Sequence, residues 1–97
     1  MGMHPVSEDE IRAALVALPD WSFEDDSLTK TYQFGSFREA IGFIVRLSFE
    51  AEERNHHPEL ANVYNRVEVR LRTHDAGNKV TELDLALAQA IENLSWV

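Results

Sequence analysis

Three residue pairs of the kind that starts helices divide this chain of 97 residues, and they constrain its fold more than any other feature. The pairs are Ser7 with Glu10, Ser36 with Glu39, and Thr81 with Asp84. In such a pair each side chain can bond the backbone amide of the other residue, which satisfies donors that the first turn of a helix leaves free. Apolar residues recur at helical spacing after each pair. The sequence therefore predicts three helices, over residues 7–18, 36–55 and 81–94.

Between the helices, apolar and polar residues alternate, as they do in half-buried strands. The segment "WSFEDDSLTKTYQF" alternates around the turn-prone pair Asp25-Asp26. The segment "LANVYNRVEVRLRT" alternates around a predicted bend at residues 64–67, where Asn65 suits a tight turn. Two hairpins and three helices in the order αββαββα indicate an α+β fold, with a four-stranded antiparallel sheet and the three helices packed on one face.

The second predicted helix carries more apolar residues than one sheet face requires. They are Phe37, Ala40, Ile41, Phe43, Ile44, Val45, Leu47 and Ala51. A helix that is apolar over so much of its circumference usually buries a second side. The pattern predicts that this helix contacts another helix or another subunit.

Length and composition narrow the classes of protein further. The length predicts a single domain over residues 1–97. The chain has no cysteine, which excludes disulfides, thiolate metal sites and cysteine nucleophiles and is typical of cytoplasmic proteins. We find no targeting pattern and no apolar run of about 20 residues, so we expect no membrane span. The net charge of −8 argues against direct binding to nucleic acid or to membrane surfaces.

The stretch "EAEERNHHPEL" places His56 and His57 directly before Pro58. Since a proline disfavours the helical conformation of the residue before it, we expect the second helix to stop at His57 and both rings to face one small cavity. The pair admits three interpretations: a favourable charge at a helix end, metal ligands, or proton transfer. Metal binding is the weakest, because a tight site needs three or four ligands at suitable spacing. Proton transfer gains from His74 at the end of a predicted strand, although His74 alone would pass for a polar residue at a strand end.

The spacing of these residues resembles the signature of the pterin-4a-carbinolamine dehydratase family. The matching positions are Glu52, His56-His57-Pro58, Tyr64, His74 and Asp84. The segments "AEERNHHPELANVYNRVEVRLRTHDAG", "TELDLALAQAI" and "LPDW" also resemble blocks of the family. The resemblance extends over almost the whole chain, to about Leu94.

The resemblance implies an enzyme that removes water from 4a-hydroxytetrahydropterin and yields the quinonoid dihydropterin. Hydroxide is a poor leaving group and N5 must lose a proton, so the reaction needs an acid and a base but neither a metal nor a redox cofactor. By resemblance, His56 and His74 form the acid/base pair and His57 holds the pterin ring.

The resemblance also suggests substrate-binding residues, each with a simpler structural explanation. Glu52 lies one helical turn before His56 and could fix its tautomer, or it is a solvated glutamate. Asp84 could orient a histidine or bind substrate, or it caps the third helix. Tyr64 and Trp21 could flank a planar ring, or they belong to the core.

Two features depart from the family pattern. Leu60 stands where the family often has tryptophan, and the loop "DAGNKV" is one residue longer than its commonest version. Both bear on the shape of the pocket and not on the histidines.

The resemblance leaves the function open in two respects. Some relatives serve as dimerisation partners of transcription factors or as assembly factors. A further alternative keeps the fold and the site but changes the pterin, for example in molybdopterin metabolism. The resemblance also implies a homodimer or homotetramer with the second helix at the interface.

Overall fold

The computed structural model describes residues 4–94 and contains three helices and four strands. In chain order these are α1 (Glu8–Leu15), β1 (Ser22–Glu24), β2 (Ser27–Gln33), α2 (Phe37–Arg54), β3 (Glu59–Val63), β4 (Arg66–Leu71) and α3 (Glu82–Leu94), with a 3₁₀ turn at His74–Ala76 before α3. This order confirms the predicted αββαββα arrangement. The single domain predicted for residues 1–97 includes residues 1–3 and 95–97, which lie outside the described residues.

The four strands form one antiparallel sheet in the order β1-β2-β4-β3. One face of the sheet is buried under the helices, through Leu28, Tyr32, Val67, Val69 and Leu71. The other face is exposed, as the paired residues Thr31, Glu68 and Ala61 show. The predicted packing of all three helices on one face of the sheet is confirmed.

The predicted pairs do start the first two helices. In α1 the Ser7 hydroxyl accepts from the Glu10 amide, and the Glu10 carboxylate accepts from the Ser7 amide, both at 3.1 Å. In α2 the Ser36 hydroxyl accepts from the Glu39 amide at 3.2 Å. The Glu39 carboxylate, however, accepts from the amide of Gly35. The two predicted side chains therefore cap the start of α2, but the Glu39 carboxylate binds the amide one residue before the predicted one.

Both of these helices end earlier than predicted. Helix α1 ends at Leu15, and the chain continues to Leu18 as hydrogen-bonded turns. Helix α2 ends at Arg54, because Asn55 adopts a left-handed conformation with φ of 49°. Asparagine tolerates that conformation better than most residues and often terminates helices. The prediction that α2 stops at His57 was wrong, and both histidines of the pair lie beyond the helix.

The first hairpin turns where the sequence predicts. Asp25 and Asp26 have φ of 51° and 59°, and Glu24 pairs with Ser27 across them. Positive φ at both central residues is the geometry that suits the twist of a two-residue hairpin.

The second hairpin turns one residue earlier than predicted, at Tyr64-Asn65, since Val63 pairs with Arg66. Tyr64 takes the positive φ of 52°. The Asn65 amide instead donates to the carbonyl of Phe34 at 2.8 Å. Asn65 therefore remains in the turn, as its second central residue, and its side chain ties the turn to the end of β2.

Helix α2 has two apolar sides. Its buried side packs Phe43 against Tyr32 and Phe34, with ring centroids 4.7 and 5.0 Å apart. Its other side exposes a stripe at four-residue spacing, here called the α2 stripe: Phe37, Ile41, Val45 and Phe49. The predicted second apolar side is therefore present, and residues 4–94 leave it uncovered. Of the helices in residues 4–94, none is both long and apolar enough to cross a membrane.

Candidate active site

A cleft of about 250 Å³ opens where the end of α2, the start of β3, the end of β4 and the start of α3 meet. Its lining consists of Asn55, His56, His57, Glu59, Arg70, Arg72, Thr73, His74, Asp75, Asn78 and Leu83. The three histidines singled out in the sequence thus share one concave site, although His74 lies far along the chain from the other two.

The turn after α2 directs His56 into the protein. The His56 amide donates to the carbonyl of Ala51 at 3.0 Å, which closes the turn that Asn55 begins. The ring is buried, and its Nε2 lies 2.5 Å from Oδ1 of Asp84. Helix α2 therefore ends just where His56 can reach α3.

Asp84 is fully buried and connects the start of α3 to His56. Its Oδ2 accepts from the Thr81 amide and from the Thr73 hydroxyl, each at 2.8 Å. The hydroxyls of Thr73 and Thr81 lie 2.7 Å apart, and the Thr81 hydroxyl also accepts from the Leu83 amide. Asp84 thus does two things at once, since one oxygen caps α3 and the other contacts His56.

The bonds of Asp84 determine which nitrogen of His56 is left for chemistry. A carboxylate accepts hydrogen bonds at both oxygens and has no proton to donate. Oδ2 accepts from Thr73 and Thr81, so Oδ1 is the acceptor for the Nε2–H of His56. The Nδ1 atom then carries the lone pair of the neutral ring. Nδ1 forms no hydrogen bond with any residue in the described range.

Glu52 contacts His57 and not His56, so the predicted bond to His56 was wrong. The distance from Glu52 Oε1 to His57 Nε2 is 3.3 Å. The prediction assumed that the helix continues through His56, whereas the chain leaves the helix at Asn55. Both side chains are exposed, His57 by 61% and Glu52 by 82%. Of the adjacent pair, His57 is open to solvent, whereas His56 is buried.

His74 begins the 3₁₀ turn after β4 and is exposed. Its Nδ1 lies 2.6 Å from Oδ1 of Asn78, which is also part of the cleft lining. Within residues 4–94, no three or more histidine, cysteine or acidic side chains are arranged to hold a metal ion.

Sequence reasoning missed Arg70 and Arg72. Arg70 donates to the hydroxyl of the buried Ser27 at 2.6 Å, and Arg72 donates to Glu59 at 2.8 Å. A signal was available, because residues two apart in a strand share a face and Arg70 and Arg72 lead in such steps to His74. Two guanidinium groups thus line the cleft, and that of Arg72 is paired with the Glu59 carboxylate beside it.

Neither aromatic residue suggested as a pterin contact is among the described residues that line the cleft. Trp21 is buried in the core, and its Nε1 donates to Glu92 at 3.1 Å. Tyr64 lies at the hairpin turn, five residues and roughly 16 Å along β3 from Glu59. In this chain the structural explanation therefore fits Trp21, and Tyr64 is an exposed turn residue.

The two departures from the family pattern affect the cleft differently. Leu60 points away from it and is partly exposed on β3. The longer loop contributes Asp75 and Asn78 to the lining.

Comparison with known proteins gives a family match over the residues that the structure describes. Residues 4–94 match the family model described as pterin 4 alpha carbinolamine dehydratase. A protein of Opitutus terrae, named provisionally as a pterin-4-alpha-carbinolamine dehydratase, is 58% identical over 92 residues, which are 95% of each chain. A protein of Rhizorhabdus wittichii with the same provisional name is 42% identical over 97 residues, covering 98% of this chain and 99% of its own.

Two solved structures share the fold. A protein from Brucella melitensis described as a transcriptional coactivator/pterin dehydratase is 38% identical, has a TM-score of 0.89, and is matched over 95% of this chain and 99% of its own. A pterin dehydratase-like RuBisCO assembly factor of the alpha-carboxysome is 23% identical with a TM-score of 0.63, over 78% and 87% of the two chains, and supports the fold alone. With a family match along residues 4–94 and relatives of this identity over nearly its full length, the chain belongs to the pterin-4-alpha-carbinolamine dehydratase family.

Proposed function

We propose that this protein dehydrates 4a-hydroxytetrahydrobiopterin to the quinonoid dihydropterin and water, as a step in the recycling of tetrahydrobiopterin. The observation that carries the proposal is the cleft in which His56, His57 and His74 meet. Each of these three rings has one nitrogen within hydrogen-bond distance of a protein oxygen, which leaves the other nitrogen for a substrate. We further propose that the reaction takes place in the cytoplasm, in keeping with a chain that lacks cysteine.

The proposed reaction needs one proton given and one proton taken. The bond between C4a and its hydroxyl oxygen breaks as that oxygen receives a proton and departs as water. The proton on N5 is removed, and the electron pair it leaves forms the C4a=N5 double bond. The protein gains and loses one proton, so no metal, redox cofactor or co-reactant enters the balance.

His56 and His74 are the proposed acid and base, because imidazole is the side chain that commonly gives and takes protons in enzyme sites. The buried carboxylate of Asp84 orients His56 and can stabilise positive charge on its ring, as carboxylates do in other histidine sites. His57 is exposed at the rim, where it can donate a hydrogen bond to the pterin ring.

The test is a coupled phenylalanine hydroxylase assay that follows the decay of the absorbance of the 4a-carbinolamine. We expect the protein to accelerate the decay, and we expect His56→Ala and His74→Ala to lower kcat by about 100-fold or more. The matched control is His4→Ala, since His4 is exposed and is not part of the cleft lining. Decay at the spontaneous rate with wild-type protein would refute the proposed activity, and full activity of His74→Ala would refute its role.

A second candidate function is that of a non-catalytic binding partner. The α2 stripe favours it, because a row of exposed apolar side chains is typical of a contact surface. The assembly factor among the structural relatives shows that this fold is also used in that way elsewhere. The assay above separates the two, since a binding module would leave the decay of the carbinolamine unchanged. Activity restricted to another pterin, such as one of molybdopterin metabolism, would show in the same assay run with that substrate.

We also propose that the protein forms a homodimer or homotetramer through the α2 stripe. The four side chains of the stripe are between 37% and 70% exposed in the single chain. Their burial against the same stripe of a second copy would remove apolar area from water and supplement a small core.

A further inference from the structure

The loop after β4 folds back on itself and brings Asn78 next to His74. Gly77 and Asn78 have φ of 73° and 62°, and these two left-handed residues reverse the chain. The backbone N–H of Asn78 then donates to the carbonyl of Thr73 at 3.0 Å, and the backbone N–H of Thr73 donates to the carbonyl of Lys79 at 2.8 Å. These two backbone hydrogen bonds close the loop that carries His74 and Asn78.

This closure places Oδ1 of Asn78 2.6 Å from Nδ1 of His74. An amide oxygen accepts hydrogen bonds and carries no proton, so the Nδ1 atom of His74 must be the donor. In the neutral ring the lone pair then lies on Nε2, which forms no hydrogen bond with residues 4–94. An amide turned by 180° would present its NH₂ group and would require the opposite tautomer, so the assignment can be tested.

We propose that Asn78 is a positioning residue, which fixes the tautomer and orientation of His74 so that Nε2 exchanges the proton with the substrate. His56 is held by a network of buried groups, whereas His74 is exposed and has Asn78 as its side-chain partner. The partners of the two histidines also differ in charge, because Asp84 offers His56 a carboxylate and Asn78 offers His74 a neutral amide. The kinetic part of this inference rests on the proposed dehydratase activity, and the part about the tautomer does not.

The tautomer is measured by long-range proton–nitrogen correlation of the imidazoles in ¹⁵N-labelled protein, at a pH where His74 is neutral. We expect His74 to carry its proton on Nδ1 in the wild type. In Asn78→Gly the proton should move to Nε2, the favoured site in free histidine. Glycine accepts the left-handed φ of position 78, so this variant removes the amide and leaves the loop backbone unstrained.

Two further variants make the comparison specific. Asn78→Asp keeps an oxygen acceptor at a residue type that tolerates positive φ, and it should retain the proton on Nδ1. Lys79→Ala removes a neighbouring loop side chain that pairs with Asp26, and it should leave the His74 signals unchanged. A wild-type His74 protonated on Nε2, or a tautomer unaffected by Asn78→Gly, would overturn the inference.

The kinetic consequence is a split between kcat and KM. We expect Asn78→Gly to lower kcat by about five- to tenfold with KM within about twofold, since the orientation of the reacting group is lost and binding is kept. Asn78→Asp should recover most of kcat, and Lys79→Ala should match the wild type. An active wild type with unchanged kcat in Asn78→Gly would contradict the role of Asn78. An inactive wild type would refute the proposed function, while the tautomer measurement would still decide the position of the proton.

Discussion

Asp84 shows how one side chain can serve the fold and the site together. Its Oδ2 closes the first turn of α3 through Thr81, and its Oδ1 holds His56. Because a buried carboxylate is stable only when hydrogen bonds replace the water it has lost, the hydroxyl of Thr73 is part of the same arrangement. The residue that orients the histidine is therefore itself held by two groups, the Thr73 hydroxyl and the Thr81 amide.

Replacement of Thr73 by valine tests this network, since valine keeps the shape and removes the hydroxyl. We expect Thr73→Val to lower the free energy of unfolding by about 1–3 kcal/mol, because the buried Asp84 loses one of its donors. The measurement is urea denaturation at pH 7. Thr31→Val is the control, because Thr31 lies in β2 on the exposed face of the sheet. Equal destabilisation by the two variants would contradict the role of the hydroxyl.

Glu52 provides the opposite case, a carboxylate whose partner is a histidine at the surface. The bond from His57 is 3.3 Å long and both side chains are largely exposed, so solvent and salt screen the interaction. We expect Glu52→Gln to change the free energy of unfolding by less than about 0.5 kcal/mol in the same denaturation experiment. A loss as large as that of Thr73→Val would mean that Glu52 is buried in solution by a contact outside this chain.

At the scale of elements, α3 runs from the cleft to strand β2 of the sheet. Its first turn carries Asp84, and eight residues later, about 12 Å along the axis, Glu92 faces the sheet. Glu92 accepts hydrogen bonds from Trp21, from Lys30 at 2.5 Å and from Tyr32 at 2.6 Å. Burial by itself would raise the pKa of Glu92, but the hydrogen bonds from Lys30, Tyr32 and Trp21 together lower the pKa below its ordinary value of 4.5.

This lowered pKa predicts a pH dependence of stability. A carboxyl group whose pKa is lower in the folded state stabilises the fold above its unfolded pKa, and the contribution is lost as the pH falls through the folded value. We expect Glu92→Gln to be less stable than the wild type by about 1–2 kcal/mol at pH 7. The difference should shrink as the pH falls below about 4.5.

The measurement is the free energy of unfolding of both proteins between pH 7 and pH 3. Glu53→Gln is the control, since it removes an exposed carboxylate from the surface of α2. A difference between wild type and Glu92→Gln that stays constant or grows toward pH 3 would contradict the assignment.

At the scale of the whole molecule, residues 4–94 leave the α2 stripe uncovered. The cleft, by contrast, is lined by residues of a single chain. The stripe faces away from the core that the other side of α2 builds with Tyr32 and Phe34. Association through the stripe would thus bury apolar surface and leave the histidines in place.

The proposed association is tested by light scattering coupled to size exclusion. We expect a dimer or tetramer for the wild type and a monomer for Phe49→Glu, because a charge would be buried in the contact in place of the most exposed apolar side chain of the stripe. Val16→Glu is the matched control, since Val16 is 87% exposed at the end of α1, outside the stripe. A monomeric wild type, or an unchanged oligomer in Phe49→Glu, would refute this interface.

The sequence by itself determined the number, type and order of the elements, and it singled out the three histidines that line the cleft. It could do so because capping pairs, turn residues and apolar periodicity act over a few neighbouring residues, as the bond between Ser7 and Glu10 and the turn at Asp25-Asp26 illustrate. The family resemblance added the expected roles of the histidines.

Only the tertiary structure decided which groups meet. It joined His56 to Asp84 across 28 positions and Trp21 to Glu92 across 71. It also drew Arg70 into the cleft and left Tyr64 outside it. Local pattern cannot predict such contacts, because they depend on the order of the strands and on where a helix ends. The stop at Asn55, a single left-handed residue, separates Glu52 from His56 and sends that histidine to α3.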